Sequence, residues 1–181
     1  MKLVKTPLKD CYIIEPTVFE DERGYFFEKY NENKFEELTG LNGHFVQDNI
    51  SKSSYGVLRG LHLQKGEHAQ AKLVSCLEGS VWDIAVDLRE NSETFGKWYG
   101  IELSAENKLQ FYVPRGFAHG FVVLSETAVF SYKCDNFYNK ESEGSVKFND
   151  SDLDIDWRIA EADIILSEKD QNAPVFKDKN Y

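Results

Sequence analysis

Two histidines stand in glycine-containing segments of this chain. His62 lies in Gly56-Val57-Leu58-Arg59-Gly60-Leu61-His62-Leu63-Gln64, and His119 in Pro114-Arg115-Gly116-Phe117-Ala118-His119-Gly120-Phe121. Histidine is the side chain whose ordinary pKa lets it take and return a proton near neutrality. A histidine base also needs a partner that fixes its tautomer and stabilises the imidazolium. Asp170 is a candidate for that partner. Lys72 sits beside Leu73 and Val74, and an inward lysine there would stabilise negative charge developing on an oxygen. Tyr132 shares a strand face with Phe130 and Cys134 and could supply a proton from across a pocket. His119, at a strand entry, could touch an anionic ligand. Each residue also has a purely structural reading: a histidine bonded to backbone, a snorkelling lysine, a hydrogen-bonded core tyrosine, a satisfied turn. Tyr138, Phe19, Phe26 and Trp157 could stack on a planar ring, with core packing as their default. The chain has no phosphate-cradling glycine loop, no HExxH spacing and no serine elbow.

The two histidine segments are similar in spacing to the pair of motifs lining cupin-type β-barrels. A metal-binding cupin carries a second histidine two positions after the first, and here that position is Gln64. The expectation is a pocket that works without a metal or other cofactor. The competing set for a metal-dependent cupin is His62, Gln64, Glu67 and His119, in which glutamine is a poor replacement for imidazole. Cys11, Cys76 and Cys134 are far apart and form no ligand cluster, and their odd number fits a reduced, cytoplasmic setting.

Strands must position these groups. Parity puts Gly60, His62 and Gln64 on one face and Arg59, Leu61 and Leu63 on the other. Arg59 and His62 can therefore reach one ligand only if Gly60 marks a bulge or twist. Val81–Leu88 alternates, with Trp82, Ile84, Val86 and Leu88 on one face. Lys72–Leu77 and the turn Glu78-Gly79-Ser80 predict a hairpin with it. Tyr55–Gln64, Trp98–Leu103, Leu109–Val113, Gly120–Leu124 and Ala128–Cys134 are further strand candidates. One helix is expected, capped by Asn31, carrying Phe35 and Leu38, and ended by Gly40. The tail from Ala160 to Tyr181 holds a possible short helix. Many short strands predict a sandwich or barrel.

With 181 residues, 41% hydrophobic and 14% aromatic, the chain suits one domain over residues 1–181. No apolar run reaches the length of a membrane span, and no signal-peptide core follows the N-terminus. A net charge of −10 argues against a nucleic-acid surface. A local basic pocket built from Arg59, Lys72, Arg115 and Lys169 remains open.

Taken together, the segments resemble the dTDP-4-dehydrorhamnose 3,5-epimerase family over nearly the whole chain. The resemblance begins at Phe19-Glu20-Asp21-Glu22-Arg23-Gly24-Tyr25-Phe26-Phe27-Glu28. It continues through Gln47-Asp48-Asn49, the His62 segment, Ala69-Gln70-Ala71-Lys72-Leu73-Val74 and Asp83-Ile84-Ala85-Val86-Asp87-Leu88-Arg89. It ends with the His119 segment, Tyr132-Lys133, Tyr138, Glu143, Trp157 and Leu166-Ser167-Glu168-Lys169-Asp170. Gly66-Glu67 departs from the family, which often has prolines there; that puts one loop's shape in question and no catalytic position.

The resemblance implies an all-β, cupin-like β-jelly-roll with a few short helices, assembled as a homodimer. It implies His62 as base, Asp170 as its orienting partner, Tyr132 as the acid on the opposite face and Lys72 near the C4 oxygen. Ligand contacts would fall on Arg23, Glu28, Gln47, Asn49, Arg59, His119, Tyr138, Glu143 and Lys169, with Arg23 and Glu28 acting across the dimer. The substrate would be a dTDP-linked 4-keto-6-deoxy sugar inverted at C3 and C5. An epimerase or isomerase acting at one carbon only, and a non-catalytic nucleotide-sugar binder, are the alternatives.

Overall fold

The computed structural model describes residues 1–178. Its core lies between two antiparallel sheets. The first holds β1 (Lys2–Lys5), β2 (Tyr12–Glu15), β5 (Gln47–Ser54), β7 (Lys72–Glu78), β10 (Gln110–Val113) and β12 (Thr127–Cys134), in the order β1-β2-β10-β7-β12-β5. The second holds β6 (Leu58–Gln64), β8 (Ser80–Asp87), β9 (Trp98–Ser104), β11 (Phe117–Val123) and β13 (Glu143–Ser145), in the order β13-β6-β11-β8-β9. A separate hairpin pairs β3 (Val18–Asp21) with β4 (Gly24–Phe27). The expected all-β jelly-roll sandwich is present.

Val74, Phe111, Val113 and Phe130 from the first sheet meet Val81, Ala85, Leu103 and Phe121 from the second. Burying such side chains is the main favourable term in assembling the two layers. Alternation along β8 explains why both its faces are apolar. Val81 and Ala85 point between the sheets, while Ile84 and Val86 point outward under Phe148, Leu153 and Trp157. Trp157 is therefore core, and its indole N–H donates to the Phe148 carbonyl at 2.9 Å.

The helix forms where expected, as α1 (Glu32–Thr39). Asn31 Oδ1 accepts from the Lys34 amide at 3.1 Å, and Gly40, at φ 69°, closes it. Phe35 anchors it on the outer face of the first sheet, against Ile14, Leu73 and Tyr112.

The hairpin predicted for Lys72–Leu77 and Val81–Leu88 does not form. β7 pairs with β10 and β12, and β8 pairs with β11 and β9. Gly79, at φ 72°, instead carries the chain from one sheet to the other; a Cβ there would stand 2.1 Å from the Thr127 carbonyl oxygen. Both strands are apolar enough for central positions, so each finds two neighbours in its own layer. No helix among the described residues is long and apolar enough to cross a membrane.

Candidate active site

A cavity of about 410 Å³ opens between the sheets. His62, Arg59, Lys72, His119, Tyr132 and Asp170 all line it. The sequence placed Arg59 and His62 together only on condition of a bulge, and the register contains one. His119 pairs with His62, but Phe121 pairs with Arg59. Three steps on β6 thus match two on β11, and the extra residue returns Arg59 to the His62 face. Glycines make this possible. Gly60 has φ 144°, and a Cβ on it would sit 2.5 Å from the Gly120 Cα. Arg59 Nε donates to Ser53 Oγ at 3.1 Å, which aims the guanidinium.

Asp170 reaches His62 through a C-terminal strap. The Leu58 amide donates to the Ile165 carbonyl at 2.9 Å, and the Ile165 amide to the Gly56 carbonyl at 2.8 Å. Gly56 lets the strap pass closely, since a Cβ there would be 2.1 Å from the Asp163 carbonyl oxygen. The chain then enters α2 (Glu168–Gln171), whose N-cap is Ser167. His62 Nε2 and Asp170 Oδ1 stand 2.5 Å apart. Ser167 Oγ donates to Asp170 Oδ2 at 2.9 Å and accepts from the Asp170 amide at 3.2 Å. Burial works to raise the Asp170 carboxyl, but the hydrogen bond and charge of His62, with Ser167, hold it below the usual carboxylate range. A carboxylate only accepts, so Nε2 of His62 carries the hydrogen and Nδ1 keeps the lone pair a base needs.

Tyr132 extends from β12 on the Phe130 side, with ring centroids 6.2 Å apart. Burial pushes its phenol up, so it holds its proton at neutral pH. Lys72 is half-buried at the start of β7, where burial pulls its ammonium below the usual lysine value against the opposing influence of Cys134 and Asp83. His119 is buried, and its Nε2 lies 3.0 Å from each oxygen of Asp83.

Other expected residues are arranged around the cavity or away from it. Lys169 lines it and pairs with Glu143 at 2.6 Å, while Tyr138 hydrogen-bonds Glu143. Gln47 and Asn49 hydrogen-bond each other at 3.1 Å on β5, where Asn49 is opposite Tyr132. Arg23 and Glu28 do not line this cavity: Arg23 pairs with Asp21, and Glu28 with Lys34. Phe19 and Phe26 stand exposed on the β3–β4 hairpin. Arg115 pairs with Asp135 at 2.7 Å and leaves the basic lining to Arg59, Lys72 and Lys169. Gln64 is buried and accepts from the Asn139 amide at 2.9 Å, which commits its Oε1 to backbone. Among the described residues no group of three His, Cys, Asp or Glu side chains could hold a metal ion.

Sequence reasoning passed over Ser53, Ser167 and Asp83. Ser167 had a signal, a serine three residues before an acid at a helix start. Asp83 had one too: an acid between Val81 and Ala85 on one face of a strand.

The model of the dTDP-4-dehydrorhamnose 3,5-epimerase family matches residues 5–178. The chain belongs to this family. Within it, the chain is 55% identical over 176 residues to the dTDP-4-dehydrorhamnose 3,5-epimerase of Salmonella typhimurium, covering 97% of this chain and 96% of the relative. It is similar to the crystal structure of dTDP-4-dehydrorhamnose 3,5-epimerase from Elizabethkingia anophelis NUHP1 at 93% identity and a TM-score of 0.97, covering 100% and 99% of the two chains. A 3,5-epimerase from Legionella pneumophila Philadelphia 1, solved in complex with dTDP-4-keto-L-rhamnose, shares 50% identity at a TM-score of 0.92, covering 96% and 92%. The loop at Gly66-Glu67 forms a short 3₁₀ turn over Gly66–His68.

Proposed function

We propose that the chain, acting as one domain, inverts C3 and C5 of dTDP-4-dehydro-6-deoxy-D-glucose to give dTDP-4-dehydro-L-rhamnose, a step of dTDP-L-rhamnose supply for cell-surface polysaccharide. One observation carries the reading: a His62–Asp170 pair and the Tyr132 phenol line one cavity with Lys72. The C4 ketone acidifies the protons on C3 and C5. His62 Nδ1 removes one, and the electron pair moves onto the C4 oxygen as an enolate. Lys72 faces that oxygen and offsets its charge. Tyr132 returns a proton to the opposite face of the same carbon, which inverts it. His62 then releases its proton to solvent and the Tyr132 phenolate takes one up, and the same two transfers follow at the second carbon. Proton transfer of this kind needs no redox cofactor, nucleophile or metal.

Arg59 and Lys169 are the cations for the diphosphate, and Tyr138 is the aromatic face for thymine. Gln47, Asn49 and Glu143 sit where the nucleotide end would emerge. Arg23 and Glu28, carried by or next to a hairpin with exposed Phe19 and Phe26, are assigned to the site of a second copy in a homodimer. Turnover in heavy water tests the reaction. Deuterium at both C3 and C5 of the product supports it; label at one carbon would make the protein a single-position epimerase. Tyr132→Phe should exchange hydrogen while inverting at least tenfold more slowly. Equal inversion by Tyr132→Phe would remove the phenol from the mechanism.

A further inference from the structure

The reaction as written gives no role to the buried acid Asp83, which stands beside the cavity residue His119. Asp83 projects from β8 between the sheets, fully enclosed. Its two oxygens are each 3.0 Å from His119 Nε2. His119 is the cross-strand partner of His62 and lines the same cavity. Its ring lies nearly parallel to Phe130, at 20° and 6.2 Å between centroids. The imidazole is thus held in position on one side by an acid and on its face by an aromatic ring.

We propose that Asp83 is a positioning residue: it takes the Nε2 hydrogen of His119, so that His119 presents Nδ1 to the cavity as an acceptor for a sugar hydroxyl. The proposal rests on the sugar being seated in this cavity. Equal distances from both oxygens to one nitrogen fit a single N–H shared by a carboxylate, since a carboxylate can only accept. With Nε2 protonated, a neutral imidazole has its lone pair at Nδ1. Burial also drives His119 down, away from the imidazolium, against the pull of Asp83, and it raises the Asp83 carboxyl against the pull of His119 and Lys72. The assignment of Asp83 as the acceptor stands on the contact of both its oxygens with one nitrogen. Such a nitrogen cannot donate to a phosphate oxygen. It can accept from the hydroxyls that a 4-keto-6-deoxy sugar keeps at C2 and C3. The anionic-ligand role considered for His119 therefore passes to Arg59 and Lys169, and His119 reads the sugar. A site that pairs a substrate hydroxyl rejects analogues lacking it far more strongly than an apolar pocket does.

Nitrogen-15 NMR of the four histidines of the whole protein tests this directly. His119, assigned by the signal lost in His119→Asn, should be a neutral imidazole protonated at Nε2 at pH 7. Asp83→Asn should add an Nδ1-protonated population and lower kcat/KM for the keto sugar at least tenfold. Affinity for dTDP, which lacks the sugar, should stay within twofold in both variants. A wild-type His119 that is cationic, or protonated at Nδ1, would overturn the assignment even if Asp83→Asn fails to fold. So would a loss of dTDP affinity in His119→Asn matching its loss of turnover. The spectrum reads the tautomer whether or not the keto sugar turns over, so failure of the proposed reaction registers separately.

Discussion

His62 and Asp170 are 108 positions apart in sequence and 2.5 Å apart in space. Asp170 is almost fully enclosed, whereas the His62 side chain is 34% exposed toward the cavity. A buried anion behind a partly open imidazole is the arrangement that lets a histidine accept a proton and hold it.

Removing either member should cost roughly a hundredfold or more in turnover. His62→Asn and Asp170→Asn should not multiply, because residues acting as one unit are non-additive. The double variant should be about as slow as His62→Asn alone. Steady-state kinetics of the four proteins of the cycle checks this, and losses that multiply would separate Asp170 from His62.

Subunit mixing addresses Arg23. It sits outside the cavity of its own chain, on a hairpin with exposed aromatic side chains. Mixing inactive Arg23→Ala with inactive His62→Asn protein should restore up to about a quarter of wild-type specific activity, because random exchange makes half of the dimers mixed and one of the two sites in each mixed dimer is intact. No recovery after verified exchange would return Arg23 to its own subunit or exclude it.

Acid stability should depend on Asp87. Its buried carboxylate accepts from Arg89, Ser92 and Thr94, at 2.9, 2.5 and 2.6 Å for Oδ2. Burial opposes ionisation, yet these bonds win and hold the carboxyl below its usual value. The unfolded chain therefore binds the proton first as pH falls. Stability from Asp87 is complete above the ordinary carboxylate pKa of about 3.9 and is lost as pH drops through the lower folded value. Asp87→Asn should cost about 3–5 kcal/mol at pH 7, since it leaves Arg89 without its buried partner. The gap between variant and wild type should narrow below pH 4. Thermal melts across pH 3–7 measure both.

Gly60→Ala should fail in a different way. A methyl group there meets the Gly120 Cα at 2.5 Å and demands a φ of 144° from an alanine. Strain of about 1–3 kcal/mol is the minimum, and relief would require undoing the bulge that brings Arg59 beside His62. The variant should melt lower, and its surviving fraction should bind dTDP more weakly. A variant with wild-type melting and affinity would show that the strand tolerates another register.

Much of this was legible from residue spacing. Asn31 and Gly40 bounded the helix because their roles are local. Parity around His62 isolated the one condition, a bulge at Gly60, that would join Arg59 to the site. The misses have physical causes. β5 went unseen because its inward residues, Gln47, Asn49, Ser51 and Ser53, are polar and give no apolar period. The Gly79 turn passed for a hairpin because a sheet change and a strand reversal use the same glycine. Asp83 drew no role because its partner, His119, comes from another strand, and only sheet order brings them together.

The strap that delivers Asp170 also orders events in time. Every wall residue of the cavity from Ser51 to Tyr132 leaves the ribosome before the strap does. At about 5–20 residues per second, the 108 positions from His62 to Asp170 take roughly 5–20 s to synthesise. Through that interval a nascent chain can present the histidine without the acid that orients it. The site therefore gains its orienting acid only after the strap has emerged and docked along Gly56–Leu58.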